Sequence, residues 1–403
     1  MLMTKALKNR AVLLLWVGQL SSNIGDEIYK VAFVWLAVNQ IGANTGYLAS
    51  IQLVVFLAFA VLGGKWSDRW NPYRIMINVD LMRMLITLIP VLFFFLGKPT
   101  FIPLVVSSVM IAAMSSFFEP AIQSSLSLLC HDRATLKGAN GLLATTLRLA
   151  RVLGPAIIGI LSVLMATIHF FSLNALSFFI SALSIFLIRK SFPKHSTAHL
   201  EMDEHILQNF SDSWKLLKSK KEMFDVIMAK TFMGGAWALT YGLGIALLIH
   251  ESYPGDVKAF GLVMSAYGLG NIISALVVGN MERKNPARMV YIGLACLGVG
   301  FIGIAISHSY PLIVFFSAFT AVGGPLNDLP STDLVQSTFQ IKDLPKIFRL
   351  KMILDNLAAL IFLVGSPFLL HAFNVRTVIF GCGVLTIILS LYYLFKKTKP
   401  STC

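Results

Sequence analysis

The chain of 403 residues is too apolar to be a water-soluble protein. Hydrophobic residues make up 56% of it, charged residues only 13%, and the mean hydropathy is +0.76. No aqueous fold could bury so much apolar surface in its core, so the composition predicts a membrane protein with many spans. The net charge of +14 would suit a nucleic-acid partner, but the basic residues collect in short loops between apolar segments, which excludes one.

Twelve apolar segments are long enough to cross the hydrocarbon core of a bilayer, about 30 Å thick. Such continuous runs predict α-helices, because the strands of a membrane barrel would alternate polar and apolar residues. The sequence therefore predicts an all-α membrane protein. Predicted helices 1 to 12 begin near residues 10, 46, 73, 101, 139, 168, 222, 256, 287, 311, 349 and 375.

Lysine and arginine are distributed unevenly between the two sets of loops. If the N-terminus is cytoplasmic, the inner loops and helix ends hold 25 of the 33 basic residues and the outer ones hold three. An excess of positive charge on the cytoplasmic side is what orients membrane proteins. The sequence therefore predicts that both termini are cytoplasmic.

Predicted helix 1 carries a polar stripe. Asn23, Asp26, Glu27 and Lys30 recur at helical spacing. Each charge near the centre of a membrane helix costs roughly 2.5 to 3.5 kcal/mol, so this stripe cannot face lipid. Pairing of Lys30 with Asp26 or with Glu27 would lower the cost, yet it leaves one carboxylate over. We therefore predict that Asp26 and Glu27 are the proton-coupling site and that Lys30 sets their charge.

A charged loop occurs twice, 214 positions apart, after predicted helices 2 and 8. Residues 66–76 and 280–290 both contain the pattern acid-Arg-x-Asn-Pro-x-Arg. A repeat at half the chain length indicates two similar halves, as in many secondary transporters. We predict two pseudo-symmetric six-helix bundles, residues 1–190 and 222–403, joined by a cytoplasmic linker with an amphipathic helix, residues 191–221.

Charged residues at the predicted cytoplasmic ends of the helices suggest a gate. Glu119 and Asp333, also 214 positions apart, end predicted helices 4 and 10 and lie within reach of loop arginines. The predicted gate residues are Asp68, Arg69, Arg74, Glu119, Glu282, Arg283, Arg288 and Asp333.

Predicted helix 5 combines charge with residues that disturb or crowd a helix. Arg148 and Arg151 precede Gly154, Pro155 and Gly159. Proline lacks an N–H and clashes one turn back, so we expect a kink, and glycine allows close helix approach. In predicted helix 3, Asp80 and Arg83 are spaced for a structural ion pair.

Further candidate site residues lie in predicted helices 7 and 10. Trp237 and Tyr241 are one turn apart, and Asn327 precedes Asp328. Aromatic residues at this spacing serve in packing as well as in binding, and the sequence leaves the choice open for Trp237 and Tyr241.

Gly64, Asp68 and Arg69 match the G-x-x-x-D-R-x-G-R-R loop of the major facilitator superfamily, although Asn71 and Pro72 replace its Gly-Arg. With its twelve helices and repeated loop, the whole chain resembles this superfamily. The resemblance implies the major facilitator fold, alternating access, and a central cavity lined by helices 1, 4, 7 and 10.

The resemblance extends to one branch of the superfamily. The stretch from Gly154 to Gly159 is similar to the helix 5 element of its drug and metabolite antiporters, with Ala150 and Ile158 replacing two glycines. The Gly-Asp of helix 1 and the entry to helix 5 resemble a branch that holds the enterobactin exporter, the macrolide-efflux proteins and the bacterial lysophospholipid transporter. This implies export from a cell and a place in the bacterial inner membrane.

We therefore expect a secondary transporter that exports a small organic molecule in exchange for protons. Lys30, Arg148 and Arg151 favour a partly anionic cargo such as a carboxylate-type siderophore. The alternatives are a multidrug or macrolide pump, a lysophospholipid flippase, an importer of the same metabolite, and a sensor or scaffold that has lost transport.

Other classes of function find less support. Gly63, Gly64 and Lys65 lack the surroundings of a phosphate-binding loop, so ATP is not expected. Four cysteines show no metal-binding spacing, and no nucleophile, base and orienting group stand together, so we expect no metal, no cofactor and no enzyme activity. The expected partners are the cargo, protons and the lipid bilayer, with the protein a monomer.

Overall fold

The computed structural model describes residues 2–67, 71–130, 132–192, 206–281, 285–340 and 343–395. Nearly all of these residues are helical, and no strand occurs within them. The helices are α1 (Leu2–Leu7), α2 (Arg10–Ile41), α3 (Thr45–Ser67), α4 (Pro72–Phe95), α5 (Phe101–Leu129), α6 (Arg133–Leu161), α7 (His169–Leu187), α8 (Ile206–Ser219), α9 (Lys221–Leu239), α10 (Ile245–Ser252), α11 (Val257–Asn280), α12 (Pro286–Ile306), α13 (Tyr310–Thr338), α14 (Leu344–Ala372) and α15 (Val375–Phe395).

Counted over the described ranges, eleven stretches are long and apolar enough to cross a membrane. The first, Arg10–Ala60, contains two helices, α2 and most of α3, which meet at the 3-10 turn Gly42–Asn44. Another, Lys221–Ser252, is a single span in which the π-helical turn Thr240–Gly244 joins α9 to α10. The described part of the chain thus holds twelve spanning helices, which confirms the predicted number and the all-α class.

Two helices begin earlier than predicted. α6 begins at Arg133 instead of 139, and α14 begins at Leu344 instead of 349. The side chain of Asp132 caps α6, because it accepts hydrogen bonds from the backbone N–H and the hydroxyl of Thr135. These bonds and the charge of Lys5, 3.2 Å away, hold the pKa of Asp132 well below its ordinary value. Basic residues interrupt the first turns of both helices, so a search for continuous apolar segments places their starts too late.

The chain divides into two compact units. Unit 1 comprises Met1–Gly42, Leu48–Met202 and Asp256–Gly261, and unit 2 comprises Ala43–Tyr47, Asp203–Gly255 and Leu262–Cys403. The amphipathic helix α8 belongs to unit 2, where Leu217 is completely buried and Trp214 packs against the same apolar core. This segment is therefore part of the packing of the second bundle.

In unit 1, α2 packs closely against α7 along small residues. A Cβ atom added to Gly18 would lie 2.0 Å from Oγ of Ser184, and one added to Gly25 would lie 2.0 Å from Oγ of Ser177. Small residues at helix contacts let backbones approach, which is a main source of helix association in membranes. The glycines of α2 therefore set how near this charged helix lies to α7.

Unit 2 uses the same kind of contact between other helices. α12 packs against α13 and α15. A Cβ atom on Gly293 would lie 2.8 Å from the carbonyl oxygen of Gly323, and one on Gly298 would lie 2.8 Å from that of Gly383. Both units are therefore held by close backbone contacts between helices.

The repeated Asn-Pro of the two loops starts equivalent helices, α4 in unit 1 and α12 in unit 2. The side chain of Asn71 accepts a hydrogen bond from the N–H of Tyr73, and that of Asn285 accepts one from the N–H of Arg288. Proline follows at the first helical position in both cases, where its missing N–H costs nothing. The repeated Asn-Pro therefore forms the same kind of helix start in both units.

Candidate functional site

The charges of α2 do not share one partner. Nζ of Lys30 lies 2.7 Å from Oε1 of Glu27, one helical turn earlier. The Lys30 side chain is 63% exposed and that of Glu27 only 19%. Of the two acids that the sequence offered to Lys30, the structure therefore selects Glu27.

Asp26 is the carboxylate left over. It has no ion pair within 4.0 Å among the described residues, although the positive charges of Arg83 and Lys30 act on it from further away. The negative charges of Glu27 and Glu119 oppose them. Asn23 is occupied in its own helix, since its Nδ2 donates to the carbonyl of Gln19 at 2.6 Å. Asp26 is therefore the acid of α2 that no ion pair occupies within the described residues.

α6 approaches α2 at this charged stretch. A Cβ atom on Gly154 would lie 2.5 Å from Cβ of Glu27, so only glycine fits here. α6 runs through Pro155 as one helix to Leu161. Earlier in the same helix, Arg151 is exposed and its charge acts on Lys30, while Arg148 is half-buried. The structure thus brings α6 and at least one of its arginines to the ion pair of α2.

A second ion pair of unit 1 is completely buried. Nη1 of Arg83 lies 3.8 Å from Oδ1 of Asp80, and Arg83 sits over the rings of Phe118 and Phe178 at 4.8 and 5.5 Å. The pairing expected from the spacing is therefore confirmed. Both Asp80 oxygens lack a hydrogen bond of ordinary length, although the Ser181 hydroxyl is near enough to act on the carboxylate.

Unit 2 contains a cluster of four charges on three helices, which we call the Lys230 cluster. Nζ of Lys230 on α9 donates to Oδ1 of Asp328 on α13, and the Lys230 side chain is only 9% exposed. On α14, Asp355 accepts a hydrogen bond of 3.2 Å from the Thr231 hydroxyl, and Lys351 lies one turn before Asp355. All four charges act on one another.

Of the four residues in this cluster, only Asp328 is predicted from the sequence as a site residue. Because α14 begins five residues before the predicted start, Lys351 lies two turns inside the helix. The available signal was the i, i+4 spacing of Lys351 and Asp355 within an apolar run.

The two adjacent candidates of α13 face different surroundings. Asn327 is completely buried, and its Nδ2 lies 3.4 Å from the carbonyl oxygen of Val290 on α12. The side chain of Asp328 is 61% exposed. Asn327 therefore joins two helices, whereas Asp328 belongs to the Lys230 cluster.

The aromatic pair of α9 and the π-helical turn is part of a packed group. The rings of Trp237 and Tyr241 stack with centroids 6.0 Å apart, and Nε1 of Trp237 donates to the hydroxyl of Tyr267 at 2.8 Å. Tyr241 is buried, and its hydroxyl lies 3.2 Å from Oγ of Ser317. Tyr241 is thus placed for packing, while Trp237 is half-buried.

Half of the predicted gate lies outside the described residues, namely Asp68, Arg69, Glu282 and Arg283. Of the others, Arg74, Glu119 and Arg288 are exposed, and Asp333 is half-buried. Arg74 and Glu119 do not pair with each other. Arg288 borders a cavity of about 120 Å³ in unit 2. The cavity is lined by Glu222, Asp225, Asn285, Ala287, Arg288, Tyr291, Tyr393 and Leu394.

Within the described ranges, no group of three or more His, Cys, Asp or Glu side chains is arranged to hold a metal ion. The charged groups that the structure does assemble combine ammonium or guanidinium groups with carboxylates. Such groups bind polar organic ions and protons.

Comparison of the sequence with known proteins gives one family and one curated relative. Residues 4–340 match the family described as transmembrane secretion effector. The relative is the uncharacterized MFS-type transporter YfiS of Bacillus subtilis (strain 168), which is 24% identical over 96% of this chain and 93% of its own length.

Comparison of the structure with solved structures gives several transporters of similar fold. A bacterial homologue of the iron transporter ferroportin, in an inward-facing state, has a TM-score of 0.74 at 14% identity and covers 96% of this chain and 99% of its own. A POT family transporter in complex with 5-aminolevulinic acid has a TM-score of 0.71 at 12% identity, with 96% of each chain covered. At such identities these structures show the fold alone.

The twelve spanning helices, the repeated helix start and the fold of these transporters agree with the family match, which covers most of the chain. The chain therefore belongs to the major facilitator superfamily, in its family of transmembrane secretion effectors, and is a multi-pass membrane transporter of small molecules and not an enzyme.

Proposed function

We propose that the protein exports a small, partly anionic organic molecule from the cytoplasm in exchange for protons, by alternating access. The observation that supports this most is the difference between the two acids of α2. Glu27 is paired with Lys30, and Asp26 has no ion pair among the described residues. A charged carboxylate in a membrane helix costs free energy, so acids that occur there mark functional sites. The ion pairs account for Glu27 and do not account for Asp26.

Asp26 suits an exchange of cargo for protons because it can hold only one of them at a time. When ionised, it accepts a hydrogen bond from a donor group of the cargo, such as a hydroxyl or an ammonium group. When protonated, it has lost the charge that strengthens this bond. Proton binding therefore weakens cargo binding, and this negative coupling is the condition for antiport.

The arginines of α6 supply the contact for the anionic part of the cargo. Arg151 is exposed and acts on the Lys30 end of the site, and Arg148 lies one turn earlier in the same helix. A guanidinium group binds a carboxylate through two parallel hydrogen bonds and keeps its charge at any physiological pH. A carboxylate-type siderophore or a similar metabolite would satisfy both Asp26 and the arginines.

Other parts of the proposal rest on the comparisons and on charge. The family description, a transmembrane secretion effector, supports export over import. A bacterial relative supports the bacterial inner membrane, and the excess of basic residues in one set of loops supports cytoplasmic termini. We propose that the protein works as a monomer and without ATP.

The cargo can be found by comparing the small molecules in the medium of cells with and without the gene. The proposal expects one acidic metabolite to be missing from the medium of the deletion strain and to accumulate inside the cells. Inside-out membrane vesicles then test the coupling. Vesicles with an acidic lumen should take up this metabolite, whereas uptake that is driven by an alkaline lumen would show proton symport and contradict the exchange.

A further inference from the structure

The Lys230 cluster of unit 2, formed by Lys230, Asp328, Lys351 and Asp355, is not used by the exchange proposed for unit 1. It contains two ammonium groups and two carboxylates on α9, α13 and α14. Burying a charge without a partner is costly, so each buried ammonium group needs an anion beside it. The cluster meets this need in two unequal ways.

The carboxylates of Asp328 and Asp355 differ in exposure. Asp355 is half-buried and accepts a hydrogen bond of 3.2 Å from the buried Thr231 hydroxyl. Within the described part of the chain, the Asp328 side chain receives its hydrogen bond from Lys230 alone, and it is 61% exposed. Asp328 can therefore move into water without leaving a buried carboxylate behind.

The two lysines lie on neighbouring helices of unit 2. Lys230 precedes Thr231 on α9, and Lys351 lies one turn before Asp355 on α14, so the hydrogen bond between Thr231 and Asp355 places the two lysines on facing stretches of these helices. The positive charges repel each other, and an anion beside them offsets this repulsion. A carboxylate has two oxygens, and each oxygen can accept from one of the ammonium groups.

We propose that Lys230 and Lys351 form a binding site for a carboxylate group of a small molecule, and that the Asp328 side chain occupies this site while no ligand is bound. The ligand displaces Asp328, and the buried Lys230 keeps an anionic partner throughout. This inference rests on the proposed function in one respect only. If the bound molecule is the cargo, the Lys230 cluster binds one of its carboxylates.

The test measures binding of citrate, a tricarboxylate, to the purified full-length protein in detergent without added phospholipid. The background carries Arg148→Gln and Arg151→Gln, so that the anionic subsite of unit 1 does not contribute. A ligand that binds the folded state raises the unfolding temperature with its concentration. Sodium chloride of matched ionic strength serves as reference, because citrate also stabilises proteins without binding to them.

In this background, citrate should raise the unfolding temperature more than the salt does, and Lys230→Gln or Lys351→Gln should abolish the difference. Lys346→Gln is the matched control, since Lys346 lies exposed on the same helix as Lys351 and should leave citrate binding unchanged. Equal effects of citrate in the background protein and in Lys351→Gln would overturn the site.

Asp328→Asn gives the sharper test, because the two explanations of this residue predict different affinities for citrate. If Asp328 competes with the ligand, the variant should bind citrate about tenfold more tightly, the factor for a charge-assisted hydrogen bond that no longer has to be broken. If Asp328 is only a structural partner of Lys230, the affinity for citrate will not increase, and the proposal is wrong. This variant keeps both lysines, so it also gives an answer if Lys230→Gln fails to fold. The measurement involves no proton gradient, so its failure would leave the exchange at Asp26 untouched.

Discussion

Two adjacent carboxylates of α2 end in different surroundings. Lys30 can reach either acid by spacing alone, since i, i+3 and i, i+4 neighbours both lie on its face of the helix. The structure pairs it with Glu27, whose side chain is 19% exposed and whose Cβ lies close to Gly154 of α6. The choice between the two acids cannot be derived from the spacing within one helix.

Substitution of Gly154 should separate α6 from this site. In Gly154→Ala the new Cβ would lie 2.5 Å from Cβ of Glu27 and 3.0 Å from the backbone nitrogen of Ile28, so one of the helices must shift. Overpacking of this kind costs about 1 to 3 kcal/mol. We expect a lower unfolding temperature of the purified protein and weaker transport.

Gly365→Ala is the matched control for this prediction. Gly365 lies inside α14, and a Cβ atom there would meet nothing within 4 Å. Because alanine favours helix over glycine by about 1 kcal/mol, this variant should be as stable as the unmodified protein or more so. Equal losses in both variants would show that Gly154 has no special contact.

Single residues also show where prediction from the sequence ends. Asn327 and Asp328 are neighbours, and both were predicted to line a cavity, yet one is buried against α12 and the other pairs with Lys230. Adjacent residues of a helix point about 100° apart, so a pattern that identifies the helix does not identify which residue is exposed. Lys351 was not predicted as a site residue, because basic residues interrupt the apolar pattern at the start of its helix.

At the scale of elements, the buried pair of α4 tests how unit 1 is held together. Asp80→Asn leaves the Arg83 guanidinium buried without an ionic partner, which costs about 3 to 5 kcal/mol. Replacing both residues, Asp80→Leu with Arg83→Met, removes the charges together and should recover most of the stability. Unfolding temperatures of the single and double variants measure this. A double variant that is less stable than both single variants would mean that the pair has another role.

Local patterns predicted the helices well and their ends less well. Asn71 and Asn285 show why some starts are predictable, because an amide cap before a proline is a local device that acts the same way in both halves. The π-helical turn at Thr240–Gly244 is different. The sequence of Tyr241 and its neighbours does not distinguish this turn from a regular α-helix. A π-helical turn depends on the packing around it, which the local sequence does not contain.

At the scale of the whole molecule, the apolar segments were sufficient to predict twelve helices, and the resemblance of the loop with Gly64, Asp68 and Arg69 to a known motif predicted the superfamily. The family match and the similar folds confirm this prediction. The Lys230 cluster could not be predicted from the sequence, for a physical reason. Lys230 contacts Asp328 at a separation of 98 positions, and its neighbour Thr231 contacts Asp355 at a separation of 124. A single sequence carries no signal for contacts at such separations.

The distribution of basic residues over the whole chain predicts the orientation of the protein in the membrane. Reporter fusions after residues 70, 200 and 285 should report the cytoplasm, and fusions near residues 43, 98 and 253 should report the opposite side. Moving the fusion point within one loop serves as a control and should not change the side. A single fusion on the wrong side would break the twelve-span topology.

We propose that Asp26 holds either a proton or the cargo, and transport by reconstituted protein tests this most directly. Purified Asp26→Asn protein, in vesicles loaded with cargo, should still exchange labelled cargo for unlabelled cargo, because the amide can still accept a hydrogen bond. It should no longer respond to an imposed pH gradient. Glu27→Gln, which loses the pair with Lys30, is the matched variant and should keep its response to the gradient while binding the cargo less well. If Asp26→Asn accumulates cargo against its gradient when protons flow the opposite way, as the unmodified protein does, Asp26 does not carry the proton and the account is wrong.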